Sequence, residues 1–230
     1  VEILDLPGIY SIYPKSIDEE LVINILGDPK HPDFPDMAIV VADASNLKRN
    51  LLLFSQVRDL GIPTVLALNM IDIAESEGYV INSIKLAREL NVEVAEVNAK
   101  KGIGLNGLKL SVVKTLQNRF ASNDALPLPV SDDIIQEVQA NFGEAEMYRS
   151  LLWLMEHDRM KMFDAKQRET LDAIQNKHHF SSKKYQSEET VKRYEQITEV
   201  VDRCVINLNR QWDAVPVRTW TDRLDKFFLH

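Results

Sequence analysis

The sequence predicts an α/β fold: a doubly wound, mostly parallel sheet followed by an all-α region. Three observations predict it. In the first half, short continuous apolar runs such as MAIVVAD and TVLALNM alternate with helix-period stretches, and apolarity that continues rather than alternates marks strands covered on both faces. The stretches between those runs are long enough to be the helical crossovers that parallel neighbours require. Beyond about residue 123 the strand-type runs stop and only helix-period patterns remain.

In chain order, VEILD is a strand candidate, followed by a helix over SIDEELVINIL with Ser16 and Glu19 at capping-box spacing. The Pro-rich break DPKHPDFPD leads to MAIVVAD as a buried strand. Ser45 or Asn46 can cap the helix NLLLFSQVRDL, which Gly61 and Pro63 end. TVLALNM is a second buried strand, SIKLAREL a short helix, VEVAEV a strand nearer the sheet edge, and LNGLKLSVVKTLQNRF an amphipathic helix. SNDALPLPVS is a linker. Helices then open at Ser131, over EAEMYRSLLWLME (stripe Tyr148, Leu151, Leu152, Met155) and at Asp164. The longest is SEETVKRYEQITEVVDRCVINLNRQW, with Val191, Tyr194, Ile197, Val201, Cys204, Val205 and Leu208 spaced at three and four. TDRLDKFFLH is a last amphipathic stretch, and no strand is expected anywhere in the second half.

Composition narrows the function. The 230 residues are 45% hydrophobic, enough for a sizeable core. No run of about eighteen apolar residues is present, so none of this chain is expected to span a membrane. Secretion is not signalled by any basic, apolar leader pattern, and one cysteine, Cys204, fits a reducing compartment. A formal charge of −8 without a basic cluster argues against nucleic acid as a partner. The chain opens without Met and inside a strand-like run, so a fragment of a longer polypeptide is expected.

Three signatures come directly after strand candidates: DLPG (Asp5, Leu6, Pro7, Gly8), NMID (Asn69, Met70, Ile71, Asp72) and NAKKG (Asn98, Ala99, Lys100, Lys101, Gly102). The carboxyl ends of parallel strands are where such sheets bind ligands. The set fits a guanine nucleotide. Guanine presents N1–H and an exocyclic amine side by side, and one ionised carboxylate, Asp72, accepts both. Adenine would leave that carboxylate unpaired. Asn69 would brace the loop, and the N–H of Ala99 would donate to guanine O6, its small side chain letting the base approach. At the phosphate end Asp5 would hold Mg²⁺ through a water. The Gly8 N–H would meet the γ-phosphate with no Cβ in the way. The plainer alternative makes Asp5 a helix cap, Gly8 a turn residue and the Asn69 loop an ordinary strand exit.

These residues resemble the cytoplasmic GTPase region of the ferrous iron transport protein B family, FeoB. DLPGIYS resembles its switch II opening. DASNLKRNLLLFSQVRDLGIPTVLALNMIDIAE is similar to its stretch joining the third and fourth guanine motifs, and RYEQI and TDRLDKFFLH resemble the end of its helical domain and the approach to its membrane region. The resemblance implies a Ras-like sheet, incomplete at the N-terminus. It implies a GTPase domain over 1–122, a linker over 123–130, a helical domain regulating nucleotide release over 131–220, and the start of a connection to the membrane over 221–230. GTP or GDP and Mg²⁺ are the implied cofactors, with Asp5, Leu6, Pro7, Gly8, Asn69, Met70, Asp72, Asn98, Ala99 and Lys100 around the nucleotide. Implied partners are the protein's own transmembrane iron-transport region and small proteins of the same transport system, with homo-oligomerisation left open. The implied location is the cytoplasmic face of the bacterial inner membrane.

Three features of the motifs bear on activity. No G-x-x-x-x-G-K-[ST] phosphate loop occurs, so the central strand is expected to be missing and this chain to be inactive alone. Asn98 stands where Ser or Thr is usual in the family, and Ile9 offers no side chain to orient water. The family shares that last trait, so hydrolysis is expected to be slow and no catalytic residue is assigned. A guanine-binding regulatory module without catalysis is the rival reading. A different GTPase fused to unrelated helices is a third.

Other residues invite blander readings. His157, His178 and His179 lack ligand spacing and suit a solvated helix end better than a metal. Trp153, Trp212 and Trp220 suit packing, Cys204 a core stripe, and Lys48 and Arg49 the surface, although the last two lie close enough to a strand end to reach switch elements.

Overall fold

The computed structural model describes residues 2–118, 130–143 and 145–208. The linker, the TDRLDKFFLH stretch, Trp212 and Trp220 lie outside the described residues. Residues 2–9 form no strand, and Ile3 and Leu4 are exposed. VEILD has strand composition, but strands are made by ladder partners, and among the described residues this one has none.

The helix α1 (Ile17–Leu26) begins where the sequence places it. Ser16 Oγ accepts from Glu19 N (3.4 Å), and Asp18, Glu19 and Glu20 fill the first turn, where carboxylates suit the helix dipole. Strand β1 (Ala38–Asp43) is followed by a 3-10 turn (Ala44–Asn46) and α2 (Leu47–Asp59). The turn is capped neither by Ser45 nor by Asn46. Asp43 Oδ1 accepts from Ser45 N (2.9 Å) and Ser45 Oγ (2.8 Å), leaving Asn46 without a side-chain cap bond. Then come β2 (Thr64–Asn69), α3 (Ile71–Ser76), β3 (Tyr79–Ile81), α4 (Ser83–Leu90), β4 (Glu93–Glu96) and α5 (Leu105–Asn118).

The order β1-β2-β4 is parallel throughout, with Asp43 opposite Asn69 and Leu68 opposite Glu96, so all three carboxyl ends share one edge. Helices α2 and α4 lie on one face. On the other, α5 reaches Glu93 through Ser111 (3.3 Å) and Lys114 (3.6 Å). The α5 face of β1 is open: Ile39 and Val41 are exposed, as are Leu110 and Val113 of α5.

The second half supplies α6 (Asp132–Phe142), α7 (Met147–Glu156), α8 (Ala165–Lys177) and α9 (Ser182–Cys204). The capping box at α8 is complete, with Asp164 and Gln167 bonding each other's backbone N–H. A strand, β5 (Val205–Asn207), ends the described chain, correcting the expectation of an uninterrupted helix. Leu208 is consequently exposed rather than part of a buried stripe, whereas Ile197, Val201 and Cys204 are buried. The helix stops because β5 pairs antiparallel with β3, and the β-branched Val205 and Ile206 suit that pairing.

The halves share one core. Trp153 Nε1 donates to Gly27 O (2.8 Å), and Asn24 of α1 donates to Arg159 O (3.1 Å) and accepts from Lys161 N (2.6 Å). Arg193 of α9, 1% exposed at its side chain, bonds Asp59 of α2 at 2.7 Å and also holds Glu189. Burial alone would pull its guanidinium down, but Tyr148, Glu189 and Asp59 outweigh that and keep it protonated.

Candidate functional site

Asn69, the last residue of β2, points its carbonyl at the next loop: Oδ1 accepts from Ala99 N at 3.2 Å. Met70 then turns the chain with a left-handed φ of 61°, which delivers Asp72 on the first turn of α3. The third loop is closed on itself. Asn98 and Ile103 exchange both backbone bonds (2.9 and 3.1 Å), and Asn98 Oδ1 accepts from Lys101 N at 3.1 Å. Asn thus orders this loop through its side chain, as short polar residues do in turns.

Two groups converge on the Asp72 carboxylate. Asn98 Nδ2 donates to Oδ2 at 2.9 Å and Lys101 Nζ at 3.0 Å. The Lys101 hydrogen bond, with its charge and the Asn98 bond, outweighs desolvation and holds the Asp72 carboxyl below the usual carboxylate range. It is ionised at neutral pH, as a group receiving two adjacent N–H donors must be. Asn69, Asp72, Asn98 and Ala99 therefore form one bonded network on the sheet edge, with Met70 and Lys100 exposed beside it. Lys101 was not singled out by sequence; nothing in the spacing of AKK separates it from Lys100.

Asp5, Leu6, Pro7 and Gly8 form a separate stretch. Asp5 and Gly8 are exposed, and Leu6 and Pro7 half-buried. The segment Ile9–Tyr13, directly after DLPG, is fixed firmly. The buried Gln56 Oε1 accepts from Ser11 Oγ (3.1 Å) and Ile12 N (2.9 Å). Arg49 lies over the Tyr10 ring at 3.6 Å, so Arg49 does reach this segment. The Tyr13 and Tyr148 hydroxyls meet at 3.2 Å, both held neutral because burial pushes them up.

Among the described residues no cluster of three metal-ligating side chains occurs. His157 is buried, bonded to Leu154 O and Asp172, and His178 bonds Glu137 at 2.7 Å. Trp153 is a packing anchor, as expected.

Gly104 sets the far side of the third loop. Its φ is +82°, and a Cβ there would sit 2.0 Å from Glu96 O. Gly104→Ala is expected to cost about 1–3 kcal/mol and to displace the 98–103 loop. Thermal denaturation checks this; an unchanged melting temperature would refute it.

The family model described as "Ferrous iron transport protein B" matches residues 1–112. The Fe(2+) transporter FeoB of Escherichia coli K12 is 37% identical over 134 residues, covering 56% of this chain. The chain spans 16% of that relative's length. Among solved structures, the cytosolic domain of L. pneumophila FeoB is similar with a TM-score of 0.68 and 27% identity, covering 88% of this chain and 79% of that one. A GDP-bound mutant of the S. thermophilus FeoB G-domain gives 0.61 and 28%, covering 88% and 80%. The match shows that residues 1–112 belong to the ferrous iron transport protein B family, and the similarity to these neighbours carries on through the helical half.

Proposed function

We propose that this chain is the guanine-nucleotide-binding part of a ferrous iron transporter, working at the cytoplasmic face of the bacterial inner membrane. The observation that carries the reading is Asp72. It is an ionised carboxylate at the carboxyl edge of a parallel sheet, held by groups that an incoming base can replace. Guanine N1–H and its amine would exchange with Asn98 and Lys101, and the Asn69 and Ala99 pair would frame the base's other edge. The GDP-bound neighbour supports the same ligand. At the phosphate end, Asp5 would hold Mg²⁺ through a water and Gly8 N–H would face the γ-phosphate. The metal would supply charge neutralisation on the phosphates.

We place the division of labour at a GTPase half over 1–122 and a helical half over 131–220. Coupling between them has a physical route: α1 and the segment before it are bonded into the helical half through Tyr13, Asn24 and Gly27. Iron is the cargo of the whole protein, whose membrane-spanning part is its proposed partner. No helix among the described residues is long and apolar enough to cross a membrane.

One fact favours a second reading, a guanine-binding module that does not turn over: Ile9 follows Gly8 and offers no side chain to orient an attacking water. Phosphate release from GTP separates the two. The first test is titration of the purified chain with fluorescent GDP and ADP analogues. GDP is expected to bind at least about 100-fold tighter, because ADP leaves the Asp72 carboxylate unpaired. Equal affinities, or no binding of either, would sink the reading.

A further inference from the structure

β3 and β5 form a sheet of only two strands, in the register Tyr79↔Asn207, Val80↔Ile206 and Ile81↔Val205. Asn82 N donates to Cys204 O (2.9 Å) at one end and Leu208 N to Gly78 O (2.8 Å) at the other. Antiparallel ladders alternate bonded and non-bonded pairs, so these flanking bonds make Val80 and Ile206 the pair that exchanges both N–H groups. An isolated ribbon of this length is marginal in water. This one is braced because the end of α9 is pinned to the other half: Lys48 bonds Asp202 at 3.1 Å, and Arg203 bonds Glu89 at 2.9 Å.

β3 comes directly after the helix that carries Asp72. Gly78, with a φ of 83°, makes the turn between them. α3 is a six-residue helix whose one buried residue is Ala74. A helix that short has no stability of its own, so its neighbours set its position. Those neighbours include the 3-10 turn at Ala44–Asn46 and β3, beside the Asn98 and Lys101 bonds to Asp72.

We infer that β5 is a positioning element for Asp72: by pairing with β3 it anchors the far end of α3 and so aims the carboxylate at the base. The last strand of the helical half thereby acts on base recognition by a route separate from the segment after DLPG. The choice of ligand rests on the guanine reading; the mechanical link rests on the ladder alone.

Ile206→Pro removes the N–H that bonds Val80 O, which a strand interior does not tolerate. Ile206 is 60% exposed, so the core is untouched. Leu208→Pro removes the bond to Gly78 O and serves as the second variant; Ile206→Val keeps the ladder. Two quantities are measured on the whole chain: amide exchange across residues 69–82, and the ratio of GDP to IDP affinity. IDP lacks the exocyclic amine, so the ratio reports the aim of Asp72 while phosphate contacts cancel.

Both Pro variants are expected to exchange 69–82 about tenfold faster or more and to lower the GDP/IDP ratio about fivefold or more. Exchange at Thr64–Leu68 stays unchanged, and Ile206→Val behaves as the parent. Unchanged exchange overturns the proposal. So does faster exchange with an unchanged ratio, which would make β5 a clamp without influence on recognition. If the parent bound neither nucleotide, the guanine reading would fall separately. Exchange at Asn69–Asp72 would then decide the link, faster in the Pro variants upholding it and equal overturning it.

Discussion

Arg193→Met is expected to destabilise the protein by about 3–5 kcal/mol, since it strands buried carboxylates that lose their counter-charge. Asp59 and Glu189 side chains are 1% and 3% exposed, and Arg193 bridges them. The guanidinium also lies 4.5 Å from the centre of the Tyr148 ring. Asp59 keeps one partner, Arg58 at 3.1 Å, but among the described residues Glu189 is left with none of comparable strength. For a chain of this size the loss corresponds to a fall in melting temperature of roughly 10 °C. The double variant Glu189→Leu, Arg193→Met should recover part of the loss, because an apolar pair leaves no buried charge behind. A loss under about 1 kcal/mol, or strictly additive effects, would show that the cluster is not the joint between the two halves.

Asp72→Ala is expected to weaken GDP binding at least about 100-fold, two hydrogen bonds to an ionised acceptor each contributing about 1.5–3 kcal/mol. ADP binding, which never used that carboxylate, should change little, so the GDP preference disappears rather than all affinity. Asp72 is exposed on the short α3, and its side-chain partners among the described residues are Asn98 and Lys101, so the fold should be retained. The check is a fluorescence titration with the GDP and ADP analogues, run beside a circular dichroism melt. A variant that still discriminates GDP from ADP would remove Asp72 from base recognition.

Where the sequence was legible, the signal was local. Continuous apolarity marked β1 and β2, Asp164 marked the start of α8, and the spacing of Ile197, Val201 and Cys204 marked the inner face of α9. NMID and NAKKG were legible as strand exits because they sit at the ends of β2 and β4. The illegible parts depend on partners distant in the chain. Tyr79–Ile81 and Val205–Asn207 are three residues each, too short to stand out as strands on their own; each is extended because the other is there. VEILD shows the converse, strand composition without a ladder. Glu189 and Arg193 sit at i and i+4, the pattern of a solvated surface pair. They are buried because Asp59 and Tyr148 arrive from other elements, which no window of sequence contains. Lys101 was missed for the same reason: its role is a distance to Asp72, not a motif.

Helix α2 is buried or half-buried at every position from Leu47 to Asp59. Its polar side chains are its connections: Arg49 to Tyr10, Gln56 to Ser11 and Ile12, Lys48 to Asp202, Asp59 to Arg193. Redesign by the usual logic, preserving the apolar stripe and exchanging polar positions freely for Lys or Glu, would keep every helix and strand of the nucleotide half and unfasten it from the other. For this helix the ordinary ranking of tolerated substitutions is inverted: trading one aliphatic side chain for another is the gentle change, and trading one polar residue for another is the disruptive one.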